Sequence, residues 1–307
     1  MNQELSKNLA PGHSSCAGCA LPVVIRTILA EAPGQVVVAN ATSCSEVTST
    51  LYPYTAWKVP YIHNAFENAA ATISGAERAY AALSKKGALK QVQGDKTDKI
   101  TFVVFAGDGG TYDIGLQSLS GALERGHDFL YVVYDNGAYM NTGNQRSSAT
   151  PFGAATETAP AGKNSFGKTQ KRKDLMAIVA AHHVEYAAQA NVAYLADLKK
   201  KAQKAFAVKG PKFLSVFSPC TNNWKFPPSD YVKVARLATE TNFWPLYEIE
   251  NGKYKLTWKT ATPKPVTEFL KTQGRFKHLF ASQNEKILAE VQRQVDEEWK
   301  RLEALAI

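Results

Sequence analysis

The sequence predicts an α/β fold: a doubly wound, mostly parallel sheet with helices on both faces and a C-terminal extension. Two observations predict it. Four short apolar runs, rich in β-branched and aromatic residues, have the continuity of strands buried on both faces. Between them lie stretches whose apolar residues recur at helical spacing, and strands alternating with helices build βαβ units.

The first strand is Gln35–Asn40 (QVVVAN), followed by an alanine-rich amphipathic helix at Ala70–Ser84. Ile100–Ala106 (ITFVVFA) is the second strand and runs into glycines. Asp113–Arg125 reads as a helix because Ile114, Leu116, Leu119 and Leu123 fall near one face. The third strand is Phe129–Asp135 (FLYVVYD). Asn141–Lys173 then breaks the pattern: it is rich in Gly, Pro, Ser, Thr and Lys and has no period. A loop of that length inside a compact domain is usually functional. A second alanine-rich helix, Ala193–Ala207, leads to the fourth strand, Phe213–Ser218 (FLSVFS). From about Pro227 the chain carries scattered aromatics (Phe243, Trp244, Tyr247, Tyr254, Trp258) and ends in a charged helix, Gln283–Leu305. The expected organisation is a main domain, residues 1–226, and an extension, 227–307, that packs on the domain or on partner subunits.

The chain has 307 residues, 45% hydrophobic and 21% charged, which suits a globular protein with a sizeable core. Its apolar runs fall well short of the ~20 residues a membrane helix needs. The opening segment MNQELSKNLAPGHSS holds no apolar stretch of the signal-peptide kind. A cytoplasmic protein without a membrane partner is expected. Lysine and arginine outnumber aspartate and glutamate by 36 to 27, a net charge of +9. The excess is spread over 85–99, 167–174 and 198–206 rather than gathered in an arm. That argues against nucleic acid and leaves solvated faces, an acidic partner or a bound anionic cofactor.

The strand ITFVVFA ends in Gly107-Asp108-Gly109-Gly110-Thr111, at the start of a helix. Backbone amides at a helix N-terminus, approached closely past glycines, form an anion site. An aspartate there would repel a bare phosphate; it makes sense with a divalent cation between carboxylate and phosphate. The next strand ends in Asp135-Asn136, and twenty-six residues separate Gly109 from Asn136. Adjacent parallel strands bring their C-terminal ends together, so Asp108 and Asn136 are expected to share one ion, where open α/β sheets bind ligands.

There are four cysteines, Cys16, Cys19, Cys44 and Cys220. Few cysteines with one Cys-x-x-Cys pair point to a metal or redox site rather than a disulfide framework. A thioredoxin-like dithiol normally follows a strand, and no strand-like run precedes residue 16. Cys44 and Cys220 each follow a predicted strand, on the same edge as the glycine motif. Four thiolates converging there would bind Zn²⁺ or a [4Fe–4S] cluster, and the residues alone leave both open.

The order strand–GDG–helix–strand–Asn resembles the thiamine-diphosphate fingerprint. The segments GHSSCAGC, NATSCSEV, YPYTAWKVPYIHNAFENAAA, FAGDGGTYDIGLQSLSGALERGHD, YDNGAYMNTGNQRSSATPFGA and SPCTNNW together resemble the β subunits of the pyruvate:ferredoxin oxidoreductase family, over nearly the whole chain. The resemblance implies a sheet of the diphosphate-domain type. It also implies thiamine diphosphate bound by Gly107, Asp108, Gly109, Gly110, Thr111 and Asn136, with Ser43 and Cys44 beside it. Magnesium would be held by Asp108, Asn136 and the Ala138 carbonyl, and a [4Fe–4S] cluster by Cys16, Cys19, Cys44 and Cys220. Asn141 is implied as a catalytic residue that hydrogen-bonds substrate or intermediate; His13, His63 and Glu67 lie in motif-like segments without an assigned role.

By the same resemblance, a small 2-oxo acid would be oxidatively decarboxylated, with its acyl group passed to coenzyme A and its electrons to ferredoxin. The glutamate that activates the thiamine ring has no counterpart here. It is expected on an α-type subunit with a pyrimidine-binding domain, alongside γ and ferredoxin-like δ subunits or domains. The chain departs from many relatives at Ala20, Ser43, Gly137 and Asn144. Polar Ser43 and Asn144, and Gly137 in place of a common glutamate, would favour the dianion oxalate, while the motifs otherwise favour pyruvate. Larger 2-oxo acids complete the substrate set. Two further readings are a non-oxidative thiamine enzyme, which needs no cluster, and a zinc-stabilised scaffold subunit.

Overall fold

The computed structural model describes residues 7–85 and 100–306. The basic run at 85–99, apart from Lys85, lies outside the described residues, as do residues 1–6. Eight strands make one sheet: β1 (Gln35–Ala41), β2 (Tyr61–Asn64), β3 (Ile100–Gly107), β4 (Leu130–Asp135), β7 (Tyr186–Asn191), β8 (Lys212–Phe217), β9 (Tyr247–Glu250) and β10 (Lys253–Leu256). A two-stranded hairpin, β5 (Ala161–Gly162) with β6 (Ser165–Phe166), stands apart. Across the sheet the order is β10-β9-β7-β8-β4-β3-β1-β2. The strands from β7 to β2 run parallel, and β9 and β10 add on antiparallel at the β7 edge.

The central strands are sealed on both faces because their alternate side chains enter two different cores. Val103 and Phe105 of β3 join Val36 and Val38 of β1 in one core; Phe102, Val104 and Ala106 of β3 join Tyr131 and Val133 of β4 in the other. The first core is closed by α1 (Leu21–Leu29), α6 (Leu195–Ala207) and α8 (Tyr231–Glu240). The second is closed by α3 (Ala69–Lys85), α4 (Leu116–Glu124) and α5 (Leu175–Ala180). Each fully buried Val, Leu or Phe side chain contributes about 1.5–3 kcal/mol, so this doubly covered centre is a firm platform for its own C-terminal edge. Two one-turn helices sit on that edge, α2 (Cys44–Val47) after β1 and α7 (Thr221–Trp224) after β8.

The four predicted strands are β1, β3, β4 and β8, and the helices predicted at 70–84, 193–207 and 283–305 are α3, α6 and α10 (Glu285–Leu305). The helix expected at Asp113–Arg125 is different. Gly110–Ile114 forms a π turn, closed by the Gly115 N–H on the Gly110 carbonyl at 2.7 Å, and α4 begins only at Leu116. A Cβ at Gly115 would collide with that carbonyl, so glycine makes the wide turn possible. Strands β2, β7, β9 and β10 lie outside the predicted set. The segment from 227 packs on the domain directly: β9 pairs with β7, and Val266, Phe269 and Leu270 of α9 (Val266–Leu270) enter the first core. Within Asn141–Lys173 the chain is mostly turns, pinned by the Lys168 ammonium, which donates to the carbonyls of Ser148 (3.1 Å) and Thr150 (2.5 Å).

Candidate functional site

Four neighbouring strands, β8-β4-β3-β1, end on the same edge, and their C-terminal residues stand there in that order. Cys220 follows β8, Asp135 and Asn136 close β4, Asp108 follows β3, and Cys44 follows β1. A narrow crevice on this edge is lined by Ser43, Cys44, Asp108, Asn136, Ala138 and Asn141, together with Gly107, Gly109 and Gly110. Phe66, Tyr134 and Tyr139 line it too. Tyr139 packs flat against Gly109, where a Cβ would run into its ring, and meets Phe66 edge-on at 5.7 Å. Gly109 is therefore needed for a close aromatic approach.

Asp108 is wholly buried. Its Oδ2 accepts from the Ser147 hydroxyl at 2.6 Å and its Oδ1 from the Asn136 backbone N–H at 3.3 Å. Burial, and then the charge of Asp135, push its carboxyl up to about 8, with Ser147 pulling the other way. Asp135 is neutralised within the protein by an ion pair to Arg172, whose guanidinium also lies over the rings of Tyr112 and Trp244. No such cation is bonded to Asp108 among the described residues.

The Asn136 side chain reaches the same place. One of its two amide atoms stands 2.9 Å from Asp108 Oδ1 and 3.0 Å from the Ala138 carbonyl. With nitrogen there, the amide donates to both oxygens. With oxygen there, it stands from each of the other two oxygens at the spacing of an octahedron's edge around Mg²⁺, about 3.0 Å for 2.1 Å bonds. A buried, uncompensated carboxylate and two neutral oxygens at that spacing fit a hard divalent cation.

Asn141 is exposed at the tip of the Tyr139–Gln145 hairpin, whose ends exchange hydrogen bonds of 2.9 and 3.2 Å. The Ser43 hydroxyl is engaged, donating to the Ala41 carbonyl at 2.7 Å and lying 3.0 Å from Ser45 Oγ. Thr111 does not line the crevice: its hydroxyl bonds the Gly107 carbonyl at 2.8 Å and lies 3.2 Å from the Tyr131 hydroxyl. His13, His63 and Glu67 are outside the crevice, and His63 Nδ1 stands 3.0 Å from Glu46. Gly137 and Asn144 do not line it either. Both have left-handed backbone, φ 72° and 66°, which glycine and asparagine tolerate best.

The cysteines are all free thiols. Three chain segments bring them together. Ser14 donates its backbone N–H to the Thr48 carbonyl at 2.8 Å, tying the Cys-x-x-Cys loop to the end of α2, which Cys44 begins. The Thr221 hydroxyl donates to the Ala17 carbonyl at 3.1 Å, tying the same loop to α7, which Cys220 caps. Burial raises the thiols of Cys19, to about 11, and of Cys44 and Cys220, and the charges of the other cysteines raise them further. A metal centre would stabilise soft, mutually repelling sulfur donors of this kind as thiolates. Among the described residues, no three His, Cys, Asp or Glu side chains are drawn into a single-ion cage. A larger cavity of about 380 Å³, bordered by Arg172, Trp244, Val295 and Arg301, lies away from the crevice.

A family model described as thiamine pyrophosphate enzyme, C-terminal TPP binding domain, matches residues 38–216. The chain is 51% identical to pyruvate synthase subunit PorB of Thermotoga maritima, over 98% of this chain and 93% of that protein. It is 50% identical to pyruvate synthase subunit PorB of Methanocaldococcus jannaschii, over 95% of each. It is 45% identical to ketoisovalerate oxidoreductase subunit VorB of Pyrococcus abyssi, over 98% of this chain and 94% of that protein. Among solved structures, 2-oxoglutarate:ferredoxin oxidoreductase from Magnetococcus marinus, with 2-oxoglutarate, coenzyme A and succinyl-CoA bound, aligns with a TM-score of 0.57. The alignment covers 71% of this chain and 68% of that one at 20% identity, a likeness of fold.

Proposed function

The chain belongs to the thiamine pyrophosphate enzymes, in the group of PorB and VorB subunits of 2-oxo-acid:ferredoxin oxidoreductases, and from that premise we propose that it serves the oxidative decarboxylation of pyruvate. It is one subunit of a multi-subunit enzyme and carries the thiamine-diphosphate-binding domain. The observation that carries the finer reading is the meeting of the Asp108 carboxylate, the Asn136 amide and the Ala138 carbonyl beside four grouped cysteines.

Asp108, Asn136 and the Ala138 carbonyl are the residues to hold Mg²⁺, and the backbone amides of Gly109 and Gly110, in the first turn of the helix, are those to receive the diphosphate. Cys16, Cys19, Cys44 and Cys220 are the residues to ligate a [4Fe–4S] cluster. When bound, the thiazolium ring supplies an electron sink for decarboxylation, and the cluster accepts electrons singly. Arg172 keeps Asp135 neutralised, so that Asp108 alone presents negative charge to the cation. Tyr139 and Phe66 shut water from the glycine turn. Asn141, on its exposed hairpin tip, can reach a substrate arriving at the crevice mouth.

The activating glutamate comes from an α-type partner with a pyrimidine-binding domain, which makes the site a shared one. A γ subunit, a ferredoxin-like δ subunit and ferredoxin complete the path, with coenzyme A taking the acyl group. The engaged Ser43 hydroxyl, and the placing of Gly137 and Asn144 off the crevice, support pyruvate over oxalate. The test is an anaerobic viologen assay of the purified complex on a panel of 2-oxo acids, with and without coenzyme A. Coenzyme-A-dependent oxidation of pyruvate is expected. Oxidation of oxalate without coenzyme A would replace pyruvate, because oxalate leaves no acyl group to transfer. A strong preference for branched 2-oxo acids would move the chain to the VorB side.

A further inference from the structure

Arg275 does not line the crevice. It stands in the turn Gly274–Phe280, which packs on α7, and it is only 5% exposed. Its guanidinium lies 3.7 Å from the Trp224 ring centre, and its Nε donates to Gln273 at 2.8 Å. The buried Nη1 has no hydrogen-bond partner, and no carboxylate pairs with the residue among the described residues. Asp135, the nearby candidate, is taken by Arg172. Burial draws Arg275 down to about 9, so it still carries its charge at neutral pH.

A buried cation left without a partner costs several kcal/mol unless negative charge arrives near it. Its surroundings show where that charge belongs. Trp224 ends the one-turn helix that Cys220 caps, and Cys220 Sγ accepts from the Asn223 N–H at 3.5 Å. On the opposite side Nη1 faces Gly137, where a Cβ would stand 2.9 Å away; glycine leaves room for the guanidinium. Arg275 is thus wedged between the Cys220 turn and the turn after β4, in electrostatic reach of Asp135 and Asp108 and, after them, of the Cys220 sulfur.

We propose that Arg275 is the resident counter-cation of the iron–sulfur centre and holds its reduction potential up, because a fixed positive charge favours the form with one more electron. The step it acts on is the gain of one electron by the oxidised cluster, with no bond made or broken. The proposal rests on the four-cysteine cluster assigned above. Arg275 is a positioning residue for charge and touches no substrate.

The test is a redox titration of the anaerobically purified complex, followed by electron paramagnetic resonance. The signal of this chain's cluster is the one missing from Cys44→Ser. Arg275→Gln should keep its iron yet show a tenfold lower reduced-to-oxidised ratio at a given poise, about 59 mV for one electron. Arg275→Lys should restore most of it. Gly137→Asp places a carboxylate against Nη1 without cutting the arginine, and should lower the potential again; aspartate is among the residues that accept the left-handed backbone there. An unchanged potential in iron-loaded Arg275→Gln overturns the proposal and leaves the cluster reading intact. Loss of iron from both Arg275→Gln and Gly137→Asp also overturns it, since the residue would then be a structural support. A wild-type chain without iron overturns the cluster reading itself.

Discussion

Trp224 donates its indole N–H to the backbone carbonyl of Asn136 at 3.0 Å, joining residues 88 apart in sequence. The bond clamps the turn that carries Cys220 to the turn that carries the proposed magnesium ligands. Trp224→Phe keeps a ring under Arg275 but leaves that buried carbonyl without its donor. The loss should destabilise the chain by about 1–3 kcal/mol in denaturant unfolding. Magnesium-dependent binding of thiamine diphosphate should weaken while iron content holds; unaltered stability and affinity would show that the clamp is idle.

Asp108→Ala should abolish magnesium-dependent binding of thiamine diphosphate, read by calorimetric titration of the cofactor-depleted complex. Ser147→Ala is the milder probe. It removes the 2.6 Å donor to Asp108 Oδ2, and loss of such an outer partner typically costs ten- to a hundredfold in metal affinity. Undiminished affinity in Asp108→Ala would remove this carboxylate from the cation site.

Anaerobically purified chain should hold about four irons, as one four-cysteine cubane requires. Replacing Cys16, Cys19, Cys44 or Cys220 by serine should stop electron delivery to viologen. An active enzyme loaded with zinc and free of iron would contradict this.

The buried ammonium of Lys168 predicts a pH dependence. Burial, and then the charges of Arg146 and Arg172, lower it from 10.5 to about 8. Between those two values the unfolded chain still holds a proton that the folded chain has released, so stability should rise with pH across that window and be insensitive to this group below it. Lys168→Met should flatten that rise, and should also destabilise at neutral pH by leaving the Ser148 and Thr150 carbonyls without a donor. Parallel denaturation curves at several pH values check both.

The chain alone should show no 2-oxo-acid oxidation, with activity appearing only when the α-type partner supplies its glutamate. Turnover by the isolated polypeptide would refute the shared site.

The parts legible in the sequence are those with local signatures. β1, β3, β4 and β8 are apolar runs, and the glycine–aspartate turn has its own spacing. β7 (YAAQAN) is half alanine and gives no strand signal, because its neighbours β8 and β9 supply the pairing. β9 and β10 did carry a usable signal: Asn251-Gly252 between two alternating runs, with φ of 50° and 76°, is the strongest short hairpin cue. Phe66, Tyr139, Arg172 and Arg275 reach the site from loops far apart in sequence, and no periodicity marks them. Gly137 and Asn144 lie beside the motif in sequence but do not line the crevice, since a neighbour in sequence can be turned away in space.

The order Cys220, Asn136, Asp108, Cys44 along four neighbouring strands bears on how fast electrons can leave. Tunnelling decays steeply with distance, and adjacent strands are locked about 4.8 Å apart by their hydrogen-bonded ladder. With thiamine diphosphate and a cluster held as proposed, donor and acceptor would be mounted on that ladder and would keep one separation. The α-type partner would supply its glutamate to that edge, while the spacing of the proposed donor and acceptor would be set by this polypeptide.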